Sequence, residues 1–166
     1  MKIKKNPPPP WPFLFRSPHH FIACGLGSGL SPWASGTVGT LFAWLTYPAL
    51  RMVVPDATAF ALCLAFALAY GVLACERTGQ ALGVADHGAI VWDEIVPFWC
   101  VLLLTPTGII WQLAAFLLFR FFDIVKPPPA NWFDRHMKNG FGVMMDDVVA
   151  AAYTLAVILL AKVALA

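Results

Sequence analysis

The sequence predicts an all-α protein: a compact multi-helix bundle whose apolar helices are embedded in a membrane or dip into it. Three observations carry that prediction. Hydrophobic residues make up 60% of the 166 residues and charged residues only 12%, against about 45–50% and about 25% in ordinary soluble domains. Four stretches carry no charge: 37–50, 57–75, 95–119 and 148–161. They are rich in Leu and Ala, which favour helix, and no hairpin dipeptide flanks an alternating strand pattern. The same arithmetic excludes a disordered chain and a disulfide-stapled secreted domain. A net charge of +2 is too small for a nucleic-acid footprint.

The elements follow in order. Residues 1–20 read as a flexible, proline-rich arm, with Lys2, Lys4 and Lys5 before Pro7–Pro10. The arm lacks the apolar core of a cleavable signal peptide, and its basic bias predicts a cytoplasmic N-terminus. Residues 21–166 read as one helical domain, opening with a Gly/Ser/Thr-rich loop over 21–40. The stretch 57–75 has the length of a bilayer span, about 20 residues. The stretches 37–50 and 148–161 are shorter and suit core or interfacial helices. Thr105-Pro106-Thr107-Gly108 interrupts 95–119, and Pro with Gly is strong helix punctuation. That stretch therefore reads as a hairpin of two half-helices, each about 16 Å long, which returns its polar flanks to the same side. Trp11, Trp33, Trp92, Trp99, Trp111 and Trp132 suit an interfacial belt and plain packing equally.

The charges locate the chemistry. Of nine acidic residues, Asp86, Asp93, Glu94, Asp123, Asp134, Asp146 and Asp147 fall between 86 and 147. In so apolar a chain, clustered ionisable groups pair, bind a metal or line a wet site; the alternative is a pair of solvated loops. On a helix Asp86 and Asp93 lie about 20° apart, with Glu94 on a neighbouring strip. The adjacent pairs Asp93-Glu94 and Asp146-Asp147 each abut an apolar run, where like charges repel unless a cation neutralises them. Oxygen-only ligands suit Mg²⁺, or Mn²⁺ in its place. Asp123 joins them, with Arg120 three residues earlier on the same helical face. Lys126 precedes Pro127-Pro128-Pro129, which ends the helix. An Arg and a Lys among such carboxylates suit a phosphate, the Arg as a fork and the Lys as a point charge.

The loop from Gly25 to Thr40 offers backbone N–H groups and hydroxyls, Thr37 among them, for a phosphate at a helix N-terminus. It reads equally as a flexible lead into a helix capped by Ser35 or Thr37. His87 and His136 sit beside acids and read as surface or supporting groups rather than proton shuttles. Cys24, Cys63, Cys75 and Cys100 have no metal-binding spacing.

Three blocks together resemble the phosphatidylglycerophosphatase A family of bacterial lipid phosphatases. They are Leu30-Ser-Pro-Trp-Ala-Ser-Gly-Thr-Val-Gly-Thr40, Asp86-His-Gly-Ala-Ile-Val-Trp-Asp-Glu-Ile-Val96, and a run from Phe119 to Val148. The last contains Phe-Arg-x-x-Asp-x-x-Lys-Pro and a later Asp-Asp. The resemblance implies an all-helical fold, a Mg²⁺ requirement and hydrolysis of phosphatidylglycerol phosphate to phosphatidylglycerol and phosphate. It also implies a place in the bacterial cytoplasmic (inner) membrane, with membrane lipids as neighbours and the active site facing the cytoplasm. The family's Asp-Glu pair falls on Asp93 and Glu94, its Arg-Asp-Lys set on Arg120, Asp123 and Lys126, and its Asp-Asp pair on Asp146 and Asp147. Ser35, His87 and Pro97 depart from the family pattern, and none of them removes a charge.

The expected metal ligands are Asp93, Glu94, Asp146 and Asp147. Asp123 assists them in catalysis, and Arg120, Lys126 and Thr37 bind phosphate. The rival reading is a membrane protein without catalysis, a small transporter or scaffold using the acids as an ion site. The acids flank the apolar runs instead of lying within them, which favours a surface site.

Overall fold

The computed structural model describes residues 6–165, and no strand occurs among them. The chain starts with a 3-10 turn at Trp11–Arg16, α1 (Pro18–Ala23) and a second 3-10 turn at Gly25–Leu30. Six helices follow: α2 (Ser35–Val53), α3 (Ala57–Leu82), α4 (Trp92–Leu104), α5 (Ile109–Val125), α6 (Ala130–His136) and α7 (Gly140–Ala164).

The two longest helices are bounded by side-chain and glycine caps. Asp56 accepts the Ala59 N–H at 2.7 Å to start α3, and Gly83, at φ 72°, closes it in a left-handed turn. Asn139 accepts the Gly142 N–H at 2.9 Å to start α7. At 26 and 25 residues each is about 38 Å long, enough for a hydrocarbon layer of about 30 Å. Both are apolar enough to cross a membrane. Only 28% of the apolar window of α3 is buried in the bundle, so most of its surface is offered outward. The stretch 148–161 looks short in sequence because Asp146 and Asp147 interrupt its hydrophobicity. In the structure these two acids lie inside α7, and the helix runs through them.

The interruption at Thr105–Gly108 is a turn. Gly108 adopts φ 122°, a conformation side chains avoid, and α5 doubles back along α4. The start of α4 thereby meets the end of α5: Arg120 Nη1 lies 3.1 Å from Glu94 Oε1. With 13 residues, α4 is about 20 Å long. It dips toward the far end of the bundle and is too short to cross a bilayer.

Phe98, Phe119, Ile95, Val96, Met144 and Ile158 fill the core between α3, α4, α5 and α7. The N-termini of α2, α4 and α7 and the C-termini of α3 and α5 all gather at one end. Lys126 bonds Asp146 there, and Glu76 of α3 accepts the Gly140 N–H. The sequence suggests a flexible arm over residues 1–20. Residues 1–5 lie outside the described residues. From Trp11 onward the arm is helical and held, with Leu14 fully buried and Phe13 nearly so. It packs with Cys24 and Ala89, covering the segment that leads into α4. The Val91 N–H donates to the Ala23 carbonyl at 2.9 Å, which ties the two segments together.

Candidate active site

The polar end of the bundle concentrates charge because α4, α5, α6 and α7 deliver it there. Asp93 and Glu94 occupy the first turn of α4, where free N–H groups favour carboxylates. Arg120 and Asp123 share one face of the last turns of α5. Lys126 caps that helix in a left-handed conformation, φ 49°, and the three prolines that follow prevent it from continuing. Asp146 and Asp147 lie in the second turn of α7. Gly36, Gly39 and Thr40 bring the start of α2 against the others.

Single carboxylate oxygens of Glu94, Asp123 and Asp147 all lie within 4.8 Å of one another. Arg120 Nη1 is 2.6 Å from Asp123 Oδ2 and 3.1 Å from Glu94 Oε1, and it donates to Thr40 Oγ1 at 3.3 Å. Lys126 Nζ is 3.0 Å from Asp134 Oδ1 and bonds Asp146. Lys138 also approaches Asp134, at 4.0 Å, so Arg120 and Lys126 are the cations that reach the inner carboxylates. Asp93 Oδ1, Glu94 Oε2 and Asp147 Oδ1 are buried with no hydrogen-bond partner among the described residues, as is Arg120 Nε. A buried, unpaired carboxylate oxygen costs several kcal/mol. Three of them side by side demand protons or a cation. The donor set, all oxygen and rich in carboxylate, fits Mg²⁺ or Mn²⁺.

Electrostatics point the same way. Burial, followed by the charges of Glu94 and Asp86, holds the Asp93 carboxyl well above its usual range. Glu94 is pushed up to about 8 by burial, with Arg120 opposing the rise and Asp123 adding to it. Burial alone would lower the Lys126 pKa. Asp146, then Asp147 and Asp86, more than reverse this and keep the ammonium charged.

Of the expected ligands, the structure brings Glu94 and Asp147 into the tight carboxylate cluster, and Asp123 completes it. Asp93 lies beside it, buried, with its free oxygen. Asp146 is engaged by Lys126. Arg120 and Lys126 both sit at the cluster's edge with carboxylate partners. Thr37 is half-buried on the first turn of α2; the threonine that reaches Arg120 is Thr40, one turn later. Asp86 stays exposed in the loop before α4.

His87 is buried, and its Nδ1 accepts the Ala89 N–H at 3.1 Å, so it braces that loop. His136 is bonded to the Trp132 carbonyl. Sequence reasoning did not single out Asp134, Thr40 and Gly36 as site residues. Thr40 lies one turn after Thr37, and Asp134 belongs to the acidic group between 86 and 147. Gly36 could be found only from packing: a Cβ there would collide with Glu94 Oε1.

A family model described as phosphatidylglycerophosphatase A matches residues 21–162. The chain is 42% identical over 135 residues to a phosphatidylglycerophosphatase A of Escherichia coli (strain K12), covering 81% of this chain and 77% of that one. It is 44% identical over 144 residues to a phosphatidylglycerophosphatase A of Haemophilus influenzae, covering 86% of this chain and 87% of that one. No solved structure matches the chain.

Proposed function

The chain belongs to the phosphatidylglycerophosphatase A family, and on that premise we propose that it hydrolyses phosphatidylglycerol phosphate with the help of Mg²⁺. The products are phosphatidylglycerol and inorganic phosphate. The observation that carries the metal assignment is the cluster of Glu94, Asp123 and Asp147 with its unpartnered buried oxygens. These three residues would hold the ion, with Asp93 beside them. When bound, a divalent cation there polarises phosphoryl oxygens and lowers the pKa of water.

The chain's own residues do the rest. Arg120 has an Nε free to donate, and with Lys126 it binds the phosphoryl oxygens and offsets their charge as a water oxygen adds to phosphorus. The bond to the glycerol oxygen breaks, and that oxygen leaves with a proton as the alcohol. Asp134 and Asp146 hold the Lys126 ammonium in place. Thr40 steadies Arg120 against α2. Packing of α2 and α7 around the carboxylates keeps bulk water off them and strengthens each of these interactions.

The site also suits a lipid headgroup at a bilayer surface. It lies at the end of a bundle with two helices long enough to cross a membrane, and the apolar hairpin of α4 and α5 hangs from the same end. That end carries Arg16, Arg77, Arg120, Lys126, Arg135 and Lys138, whereas the far end carries Arg51 and Lys162. The positive-inside bias supports a site facing the cytoplasm, in the inner membrane of a bacterium.

The test is phosphate release from phosphatidylglycerol phosphate by the detergent-purified protein, with Mg²⁺ and with EDTA, beside Asp93→Asn. Release that needs both Mg²⁺ and Asp93 supports the reading. Release that persists in EDTA would overturn the metal assignment.

A further inference from the structure

Beside the site, α3 carries a feature that phosphate chemistry leaves unused. Ile22, Phe66, Ala67, Tyr70 and Trp92 line a cleft of about 390 Å³, within the roughly 300–1,000 Å³ typical of small-molecule sites. Its walls come from α1, α3 and the first residue of α4. Both polar groups on this lining are already satisfied inside the protein. The Trp92 indole N–H donates to the Ala67 carbonyl at 3.1 Å, and the Tyr70 hydroxyl bonds His19 Nδ1 at 3.0 Å. The lining therefore presents carbon to an occupant, and an occupant that makes no hydrogen bonds is a hydrocarbon.

The position of the cleft identifies which hydrocarbon. Trp92 immediately precedes Asp93 in the first turn of α4 and packs against Gly71 and Ala67 of α3, so the cleft begins on the α3 side of the helical turn that carries Asp93 and Glu94. Phe66 lies a turn further into the apolar part of α3, away from the site. It is 74% exposed, so the cleft opens on the outward face of a helix long enough to span a bilayer. A chain descending from a headgroup at the site passes Trp92, then Ala67, then Phe66, and continues into the lipid layer.

We propose that this cleft seats one acyl chain of the glycerophospholipid whose phosphate occupies the site. The proposal rests on the phosphatase reading above and adds where the substrate's apolar part is recognised. Rings fixed by their own hydrogen bonds offer a preformed seat that loses little freedom on binding.

Ala67→Phe fills the cleft and leaves the backbone carbonyl that holds Trp92. The measurement is kcat/KM on long-chain phosphatidylglycerol phosphate relative to its short-chain dihexanoyl analogue, for the wild-type protein, Ala67→Phe and the milder Ala67→Leu. The long-chain preference is expected to fall about tenfold in Ala67→Phe, the loss expected when a pair of methylenes leaves a buried seat. It should fall by a smaller factor in Ala67→Leu. An unchanged ratio in both variants overturns the proposal.

A second readout does not need turnover. Phosphatidylglycerol with a mid-chain diazirine, irradiated with the protein in nanodiscs, should label Phe66–Tyr70 and Trp92, and Ala67→Phe should abolish that labelling. Labelling spread evenly over the exposed face of α3, or unchanged by the substitution, overturns the acyl seat even if the protein is an active phosphatase. Specific labelling of a protein that releases no phosphate would uphold the seat and sink the phosphatase reading instead.

Discussion

Gly36→Ala is a one-methyl change that tests the geometry of the site without touching a charge. The new Cβ would collide with Glu94 Oε1 and lie 2.7 Å from Glu94 Cδ and 2.8 Å from Oε2, where non-bonded carbon needs about 3.5 Å. The helix backbone at Gly36 suits alanine, so the strain falls on the carboxylate, which has to retreat by about 1 Å. That retreat stretches its contact with Arg120 and opens the cluster with Asp123 and Asp147. A misplacement of about 1 Å at a reacting centre costs roughly 100-fold in rate, or about 2.7 kcal/mol of barrier. Stability should change less. Alanine gains about 1 kcal/mol of helix propensity, and crowding costs about 1–3 kcal/mol, leaving at most about 2 kcal/mol of net loss. The assay is kcat and KM for phosphate release, with a melting curve in the same detergent. Gly83→Ala is the control: its Cβ meets nothing within 4 Å, so only backbone strain is added there. Wild-type turnover in Gly36→Ala would refute the placement of Glu94 or its role.

Other expectations follow from the same contacts. Lys126→Ala should raise KM more than it lowers metal affinity, whereas loss of Mg²⁺ affinity alone would argue against a phosphate role. Asp134→Asn removes one of the two carboxylates on Lys126 and should produce a weaker version of the same KM defect. Without divalent cations, Glu94 holds its proton up to about pH 8 against an ordinary value of 4.5. A group raised in the fold stabilises it fully below its unfolded pKa and loses that contribution as pH rises through the folded value. Thermal stability in EDTA should therefore decline between about pH 4.5 and 8, and Mg²⁺ should restore it at the upper end; a flat profile in EDTA would contradict the burial of these carboxylates. Cysteines introduced singly near Asp134 and near Pro55 should label from opposite faces of the membrane, the former from the cytoplasmic side.

Much of this architecture was legible because its signals are local. The break at Thr105–Gly108 announces itself by Pro and Gly, and the length of 57–75 announces a helix long and apolar enough to cross a membrane. The start of α7 was obscured for a physical reason. Asp146 and Asp147 lower the local hydropathy, yet a helix carries two acids readily when neighbouring helices supply Lys126 and the rest of the site around them. The packed state of Trp11–His20 was also hidden, because Leu14 and Phe13 gain their burial from Cys24 and Ala89 and not from any periodicity of their own. Within the site, the pairs Asp93-Glu94 and Asp146-Asp147 were visible as charge beside apolar runs. Which member of each pair enters the tight cluster was not. That depends on helix rotation, which turns Glu94 and Asp147 toward Asp123 and leaves Asp146 to Lys126. Thr40 and Gly36 act through contacts between α2 and its neighbours, and no spacing within one segment encodes them.

The most direct test of the central claim is Mn²⁺ binding, read by electron paramagnetic resonance on the detergent-solubilised protein, with phosphate release measured on the same samples. Wild-type protein should bind Mn²⁺ and support turnover, and Asp147→Asn should lose both together. Full Mn²⁺ binding by Asp147→Asn, or turnover that survives the loss of the bound ion, would contradict the account.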